Sequence, residues 1–200
     1  MTYPVNYTNI FKVAVIIPLV LSILNGCAAV VASTAATGVM VAQDRRSTGT
    51  IVDDKGIEFK AVQAVHRSLS HEEKSRVSVT SYNNRVLLLG QAPSEQVKSK
   101  IEETVKRVAN VKQLHNEMTI GEPTPLLSRT TDSVITTKIK SAMVFNKSFN
   151  PTRAKVITEN GIVYLLGIVS PEEEEIAVDI ARHTKGVKKV VKIFEYKDEG

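Results

Sequence analysis

Side chains able to do chemistry are few in this chain of 200 residues, and one cysteine stands apart from the rest. Cys27 has no partner for an intramolecular disulfide, and a cysteine-based metal cluster is implausible with a single thiol. The histidines, His66, His71, His115 and His183, follow no common pattern. His66 and His71 are five apart and do not share one helical face. No His-Glu metal spacing, Gly-x-Ser-x-Gly elbow or phosphate-cradling glycine loop occurs. The acidic run at 172–175 follows Ser170-Pro171 and reads as a helix start, not a calcium loop, because carboxylates suit the positive end of a helix. The chain therefore reads as a binding protein and not an enzyme, with no cofactor and no metal. Its other chemical feature is a basic stretch. Between residues 129 and 155 lie Arg129, Lys138, Lys140, Lys147, Arg153 and Lys155, with Asp132 the sole acid. With a net charge of +5, such a cluster suits an anionic partner, a lipid headgroup or a nucleic acid.

The segment before Cys27 decides the compartment. Residues 13–24 are an apolar run interrupted by Pro18, with Lys12 its only preceding charge. Spanning a bilayer takes about 20 apolar residues, and Pro18 would kink a helix. The run reads as the hydrophobic region of a signal peptide. Leu24-Asn25-Gly26-Cys27 resembles the bacterial lipobox, although Asn25 is bulkier than the usual small residue. The resemblance implies diacylglyceryl transfer to Cys27, cleavage after Gly26 and acylation of the new amino terminus. More than one acyl chain gives stable anchoring. Ala28, where inner-membrane lipoproteins usually carry Asp, implies the periplasmic face of the outer membrane. A signal peptide or core helix with a chance cysteine is the plainer alternative.

The rest of the chain repeats itself. "VSVTSYNNRVLLLGQAPSE" (77–95) aligns without a gap on "AKVITENGIVYLLGIVSPE" (154–172), and "NVKQLHNEMTI" (110–120) matches "GVKKVVKIFEY" (186–196) with one deletion. Such a period identifies two copies of one supersecondary unit. In the second copy Asp132 is a candidate N-cap for a helix whose Ile135, Ile139, Ala142 and Met143 face the sheet. Asn160-Gly161 marks a hairpin between two strands. Ser170-Pro171 with Glu173 forms a capping box, and residues 187–196 make a final strand. The order is αββαβ, twice. That is an α+β fold, each copy a three-stranded sheet with two helices on one face. The boundaries read as signal peptide 1–26, lipidated N-terminus and exposed linker 27–53, first repeat 54–121, hinge 122–130, second repeat 131–197 and tail 198–200. Residues 28–43 suit either a membrane-lying helix or a flexible tether. Gly90, Gly161, Gly167 and Gly186 are candidate turn glycines. Asn84 stands where the second hairpin has Gly161, and asparagine tolerates positive φ well enough to keep the turn.

The αββαβ repeat, with "NGIVYLLGIVSPEEE", Gly186-Val187 and their equivalents Gly90, Pro93 and Val111, resembles the BON domain. Two such units behind a lipobox, with "DRRSTGTIVDD" and "DSVITTKIKS" in place, resemble the dual-BON outer-membrane lipoproteins, some of whose relatives were described as haemolysins or osmotically inducible proteins. The resemblance implies binding of anionic phospholipid, phosphatidylglycerol or cardiolipin, support of envelope integrity, gathering at the division site and possible envelope or division protein partners. It also implies that the first helix of the second repeat is the lipid-binding element, with an aromatic anchor in the family where Val134 stands here.

Val134, Lys138 and Ser141 fall on one flank of that helix, off the apolar stripe, with Lys140, Arg129 and Lys147 nearby. An apolar side chain can enter the acyl boundary while an ammonium meets phosphate, at about 1 kcal/mol per cation near an anionic surface. The same residues equally describe a core-flanking valine beside a solvated basic face. The first repeat's helix, over 56–69, mixes Glu58 with Lys60 and Arg67 and is expected to be structural, packing on its partner domain. Nucleic acid is set aside, because the stacking aromatics of single-strand binders are missing and the implied address is periplasmic. A scaffold docking envelope machinery without headgroup recognition stays open. Lysis would require a long amphipathic or spanning segment, and the mature sequence offers none.

Overall fold

A computed structural model describes residues 44–70 and 74–197. The leader, Cys27, residues 28–43, His71 and the tail 198–200 lie outside the described residues. The first repeat runs α1 (Thr48–Ser68), β1 (Arg76–Tyr82), β2 (Arg85–Ala92), α2 (Glu95–Lys106), β3 (Gln113–Asn116) and β4 (Thr119–Ile120). The second runs α3 (Leu126–Phe145), a 3-10 turn (Pro151–Arg153), β5 (Ala154–Glu159), β6 (Ile162–Val169), α4 (Pro171–Arg182) and β7 (Lys189–Tyr196). The central strand of each sheet pairs antiparallel with its hairpin partner and parallel with the strand after the second helix. In the first repeat that last strand is broken. Met118 turns into the core between β3 and β4, and both pieces pair with β2.

Local chemistry explains the hairpins. Both central residues of each turn have positive φ: Asn83 at 52° and Asn84 at 64°, Asn160 at 53° and Gly161 at 79°. That is the primed geometry whose twist matches the flanking strands. Asn84 does take the conformation that Gly161 takes in the other copy.

The turns are fastened from above by an aspartate. Asp132 is not an N-cap. Helix α3 begins at Leu126, with Pro125 at its cap and no side-chain cap bond. Asp132 lies inside the helix, buried, and its carboxylate accepts from the Asn160 and Gly161 amides at 2.8 Å each. Asp54 on α1 does the same for Asn83 and Asn84, at 2.9 and 2.8 Å, and also accepts from Ser81 Oγ. Buried backbone N–H groups need acceptors, and two-residue turns leave theirs pointing at the helix above.

Two segments read as connectors are helical. The hinge at 122–130 ends where α3 starts at Leu126, and the stretch read as exposed linker to residue 53 is α1 from Thr48. Ser47 Oγ caps α1 by accepting from the Thr50 amide at 3.0 Å. Before it, Arg46 lies 3.9 Å over the Tyr82 ring and pairs with Asp44 and Asp54. Arg45 reaches the second repeat, donating to Ile168 O at 2.7 Å and to both Glu173 oxygens. Gly90 and Gly167 are likewise not turn residues. They lie within β2 and β6, where an added Cβ would come 1.9 Å from Arg76 O and 2.2 Å from Arg153 O. Close approach of the neighbouring strand demands glycine there. Gly161 is in the hairpin turn, and Gly186 sits before β7 beneath Ile135.

Each central strand is buried on both faces, which is why "VLLLG" and "VYLLG" are continuous apolar runs and do not alternate. Val86 and Leu88 join Ile57, Ala61, Val65, Ile101 and Val105 under the first pair of helices. Val163 and Leu165 join Ile135, Ile139, Met143, Ala177 and Ala181 under the second. Ala142, expected in that stripe, is exposed. The opposite faces meet one another: Tyr82, Leu87 and Leu89 pack on Tyr164, Leu166 and Ile193. The repeats therefore join sheet to sheet, with helices on the two outer faces. The first copy does pack on its partner, but through its sheet; α1 adds Glu58, which bonds Lys155 at 2.9 Å. Arg76–Glu159 (2.6 Å) and Arg85–Glu195 (3.1 Å) close the edges of the interface.

Candidate membrane-contact site

Because α3 lies on an outer face, its far side meets solvent. With 3.6 residues per turn, Ile135, Ile139 and Met143 turn inward and are 3% exposed or less. The positions opposite are Leu127, Val134, Lys138, Ser141 and Phe145, all exposed. Leu127 is 79% exposed, Val134 47% and Phe145 84%. At 1.5 Å per residue the row from Leu127 to Phe145 is about 27 Å long. Leu126 and Val144 widen it at its ends, at 74% and 62% exposure. An apolar row of this kind on a helix with its core face already satisfied is the pattern of an interfacial helix.

The cations divide into two groups. Lys138, Lys140 and Lys147 are exposed and make no hydrogen bond or ion pair among the described residues. Lys138 stands within the apolar row, Lys140 on its flank, and Lys147 just beyond the end of α3. The other three are engaged inside the fold. Arg129 donates Nε to Thr124 O at 3.0 Å, and Arg153 pairs with Glu173. Lys155 is committed to Glu58 and Ser81 O across the repeats. Burial pulls the Lys155 ammonium below its ordinary pKa although Glu58 opposes that shift. Burial works against the charge on Glu58 too, but Lys55, the Ser81 amide and Lys155 outweigh it and hold the carboxyl below the ordinary range. Only three of the six cations over 129–155 are thus free of any bond to the fold.

Leu127 and Phe145 went unnoticed in the sequence. Leu127 fell in an assumed hinge, and Phe145 beside a buried Phe149 (4% exposed) gave no sign of which aromatic faces water. The periodicity extended in both directions from Val134 at steps of seven and four would have found both. No described helix is long and apolar enough to cross a membrane, and no group of metal-binding side chains occurs among the described residues.

The BON-domain family model matches residues 53–122 and again 131–198. The chain is 41% identical to the outer membrane lipoprotein DolP of Haemophilus influenzae, over 88% of this chain and 91% of that one. It is 37% identical to a 21 kDa hemolysin of Actinobacillus pleuropneumoniae, over 76% of this chain and 79% of the relative. Against the C-terminal domain of CdsD from the type III secretion system of Chlamydia trachomatis the TM-score is 0.30 at 11% identity, covering 70% of this chain and 96% of that domain, too low to bear on the fold. On the two family matches and the near-full-length relative, the chain belongs to the BON-domain family as a dual-BON outer-membrane lipoprotein.

Proposed function

We propose that the protein is held on the periplasmic face of the outer membrane by a lipidated Cys27 and binds anionic phospholipid through the outward face of α3, supporting envelope integrity at the division site. One observation carries this reading. Leu127, Val134 and Phe145 form an exposed row on the helix that also bears the uncommitted Lys138 and Lys140. Apolar side chains enter the acyl boundary while ammonium groups stay at the phosphates. Phe145 supplies the aromatic that Val134 lacks, three turns further along the helix, and Phe is among the side chains that interfacial helices bury at the acyl boundary. Flotation with vesicles tests it, using a chain that begins after Cys27. Phosphatidylglycerol or cardiolipin vesicles should carry the protein and Lys138→Glu should release it; equal recovery with neutral vesicles would sink the reading. For the anchor, mass spectrometry should find acyl mass on the native chain and none on Cys27→Ala.

A second reading, a scaffold for envelope proteins, draws on the other outer layer. Helix α1 exposes Val52 (66%) and Phe59 (65%), apolar surface that the fold itself does not use. Retained envelope function in Lys138→Glu and its loss in Phe59→Ser would favour that alternative.

A further inference from the structure

Beside α3, on the flank turned from the apolar row, lies an open cleft of about 390 Å³ with walls from both repeats. Arg129, Ser133 and Thr137 line one side at four-residue spacing, Thr158 lines the β5 side, and Arg76 enters from the first repeat. Two carboxylates also face it, and both are already bonded. Asp132 holds the Asn160 and Gly161 amides, while Glu159 holds Arg76 Nη1 at 2.6 Å and Gln91 Nε2 at 3.0 Å. Donors are left over. Arg129 uses its Nε on Thr124 O, and its two terminal amino groups make no hydrogen bond or ion pair among the described residues. Arg76 engages Glu159 through Nη1, which leaves its remaining N–H groups for a ligand.

A planar guanidinium with parallel free N–H groups matches the oxygens of a phosphate, and two of them lining one cleft from different repeats can act as a clamp. We infer that this cleft is a phosphate-ester site in which Arg129 of the second repeat and Arg76 of the first hold one phosphate group between them. As a seat for a lipid headgroup it rests on the membrane reading above, since a lipid lying along Leu127 and Val134 brings its phosphate to this flank. As a phosphate site it stands without that reading. Occupancy ties the two repeats together, because the clamp has one jaw on each.

The test uses the chain that begins after Cys27, so that no acyl anchor reaches the vesicles, and follows the arginine side-chain N–H signals by NMR. The probes are glycerophosphoglycerol, inorganic phosphate and phosphatidylglycerol vesicles. Glycerophosphoglycerol should shift the Arg76 and Arg129 signals together. Arg129→Gln, on a flank with one backbone bond to lose, should weaken it by about tenfold or more, the loss expected for one charge-assisted contact. Arg76→Gln should do likewise, with its circular dichroism checked because Glu159 loses a partner. A stronger response to glycerophosphoglycerol than to phosphate assigns a phosphodiester of the headgroup kind; equal responses assign the phosphate group alone, whatever carries it. Silence of both arginines toward both soluble probes overturns the site, even if vesicles still bind through Lys138. Shifts with the soluble probes but no vesicle binding would leave the site standing and remove the membrane reading.

Discussion

If the outward face of α3 meets the bilayer as proposed, Phe145 offers it the most exposed apolar side chain of the row. At 84% exposure it touches little of the protein, so Phe145→Ser should leave the thermal midpoint nearly unchanged. Its transfer to the acyl boundary is another matter. Full burial of a side chain of this size contributes about 1.5–3 kcal/mol, and nearly all of Phe145 is available to be buried. The substitution should therefore cost about 2 kcal/mol of membrane affinity, roughly a 30-fold weaker partition coefficient. Leu127 and Val134, at 79% and 47% exposure, bring the apolar contribution of the row to about 4 kcal/mol. The assay is vesicle flotation of the chain lacking the lipidated cysteine, across a lipid titration. Because the lost contribution is apolar, Phe145→Ser should weaken binding by the same factor at low and high salt. Lys138→Glu should lose its effect as salt screens the surface. Unchanged partitioning for Phe145→Ser, and again for Leu127→Ser with Phe145→Ser, would refute the reasoning, since Leu126 and Val144 only widen the ends of the row that these substitutions remove.

Asp132→Ala strands two buried amides that the carboxylate now holds at 2.8 Å each; at about 1.5–3 kcal/mol per bond to a charged group, urea denaturation should show a loss of about 3–6 kcal/mol. Gly90→Ala places a methyl 1.9 Å from Arg76 O and should cost on the order of 3 kcal/mol or more, with amide exchange in β1 and β2 rising first. Acid should weaken the fold partly through Glu58. Its folded pKa lies below the ordinary 4.5, so between those values the unfolded chain binds a proton that the folded chain refuses. That contribution is complete above pH 4.5 and fades as pH falls through the lowered value. Urea midpoints at pH 7 and pH 3.5 should differ less in Glu58→Gln than in the parent.

What the sequence discloses is local. The turn at Asn160-Gly161 and its Asn83-Asn84 counterpart, the capping box at Ser170 and Glu173, and the gapless alignment of Gly90 on Gly167 all depend on residues a few positions apart. The BON resemblance and the α+β repeat follow from them. What stayed hidden is tertiary. Pro123 and Pro125 looked like a hinge, yet proline is compatible with a helix cap and α3 starts directly after it. Asp132 is a residue type that caps helices, yet its partners, like those of Asp54, are amides 28 to 30 residues away. Gly90 lies within β2 and not in a turn, and its type alone does not tell the two apart, because glycine suits a turn and a close strand crossing alike. Of the candidate lipid residues, Val134, Lys138 and Ser141 do share an exposed face, while Arg129 turns toward the cleft. Which lysines are free could be judged only once Glu58 was seen to hold Lys155.

The chain contains no tryptophan, so a single Phe145→Trp substitution puts a reporter at the end of the apolar row with no background. On phosphatidylglycerol vesicles its emission should move to the blue and be quenched by lipids brominated near the carbonyl end of the acyl chain, while neutral vesicles leave it unchanged. Emission that stays at its aqueous wavelength while the protein co-floats with anionic vesicles would mean that α3 is not the surface touching the bilayer.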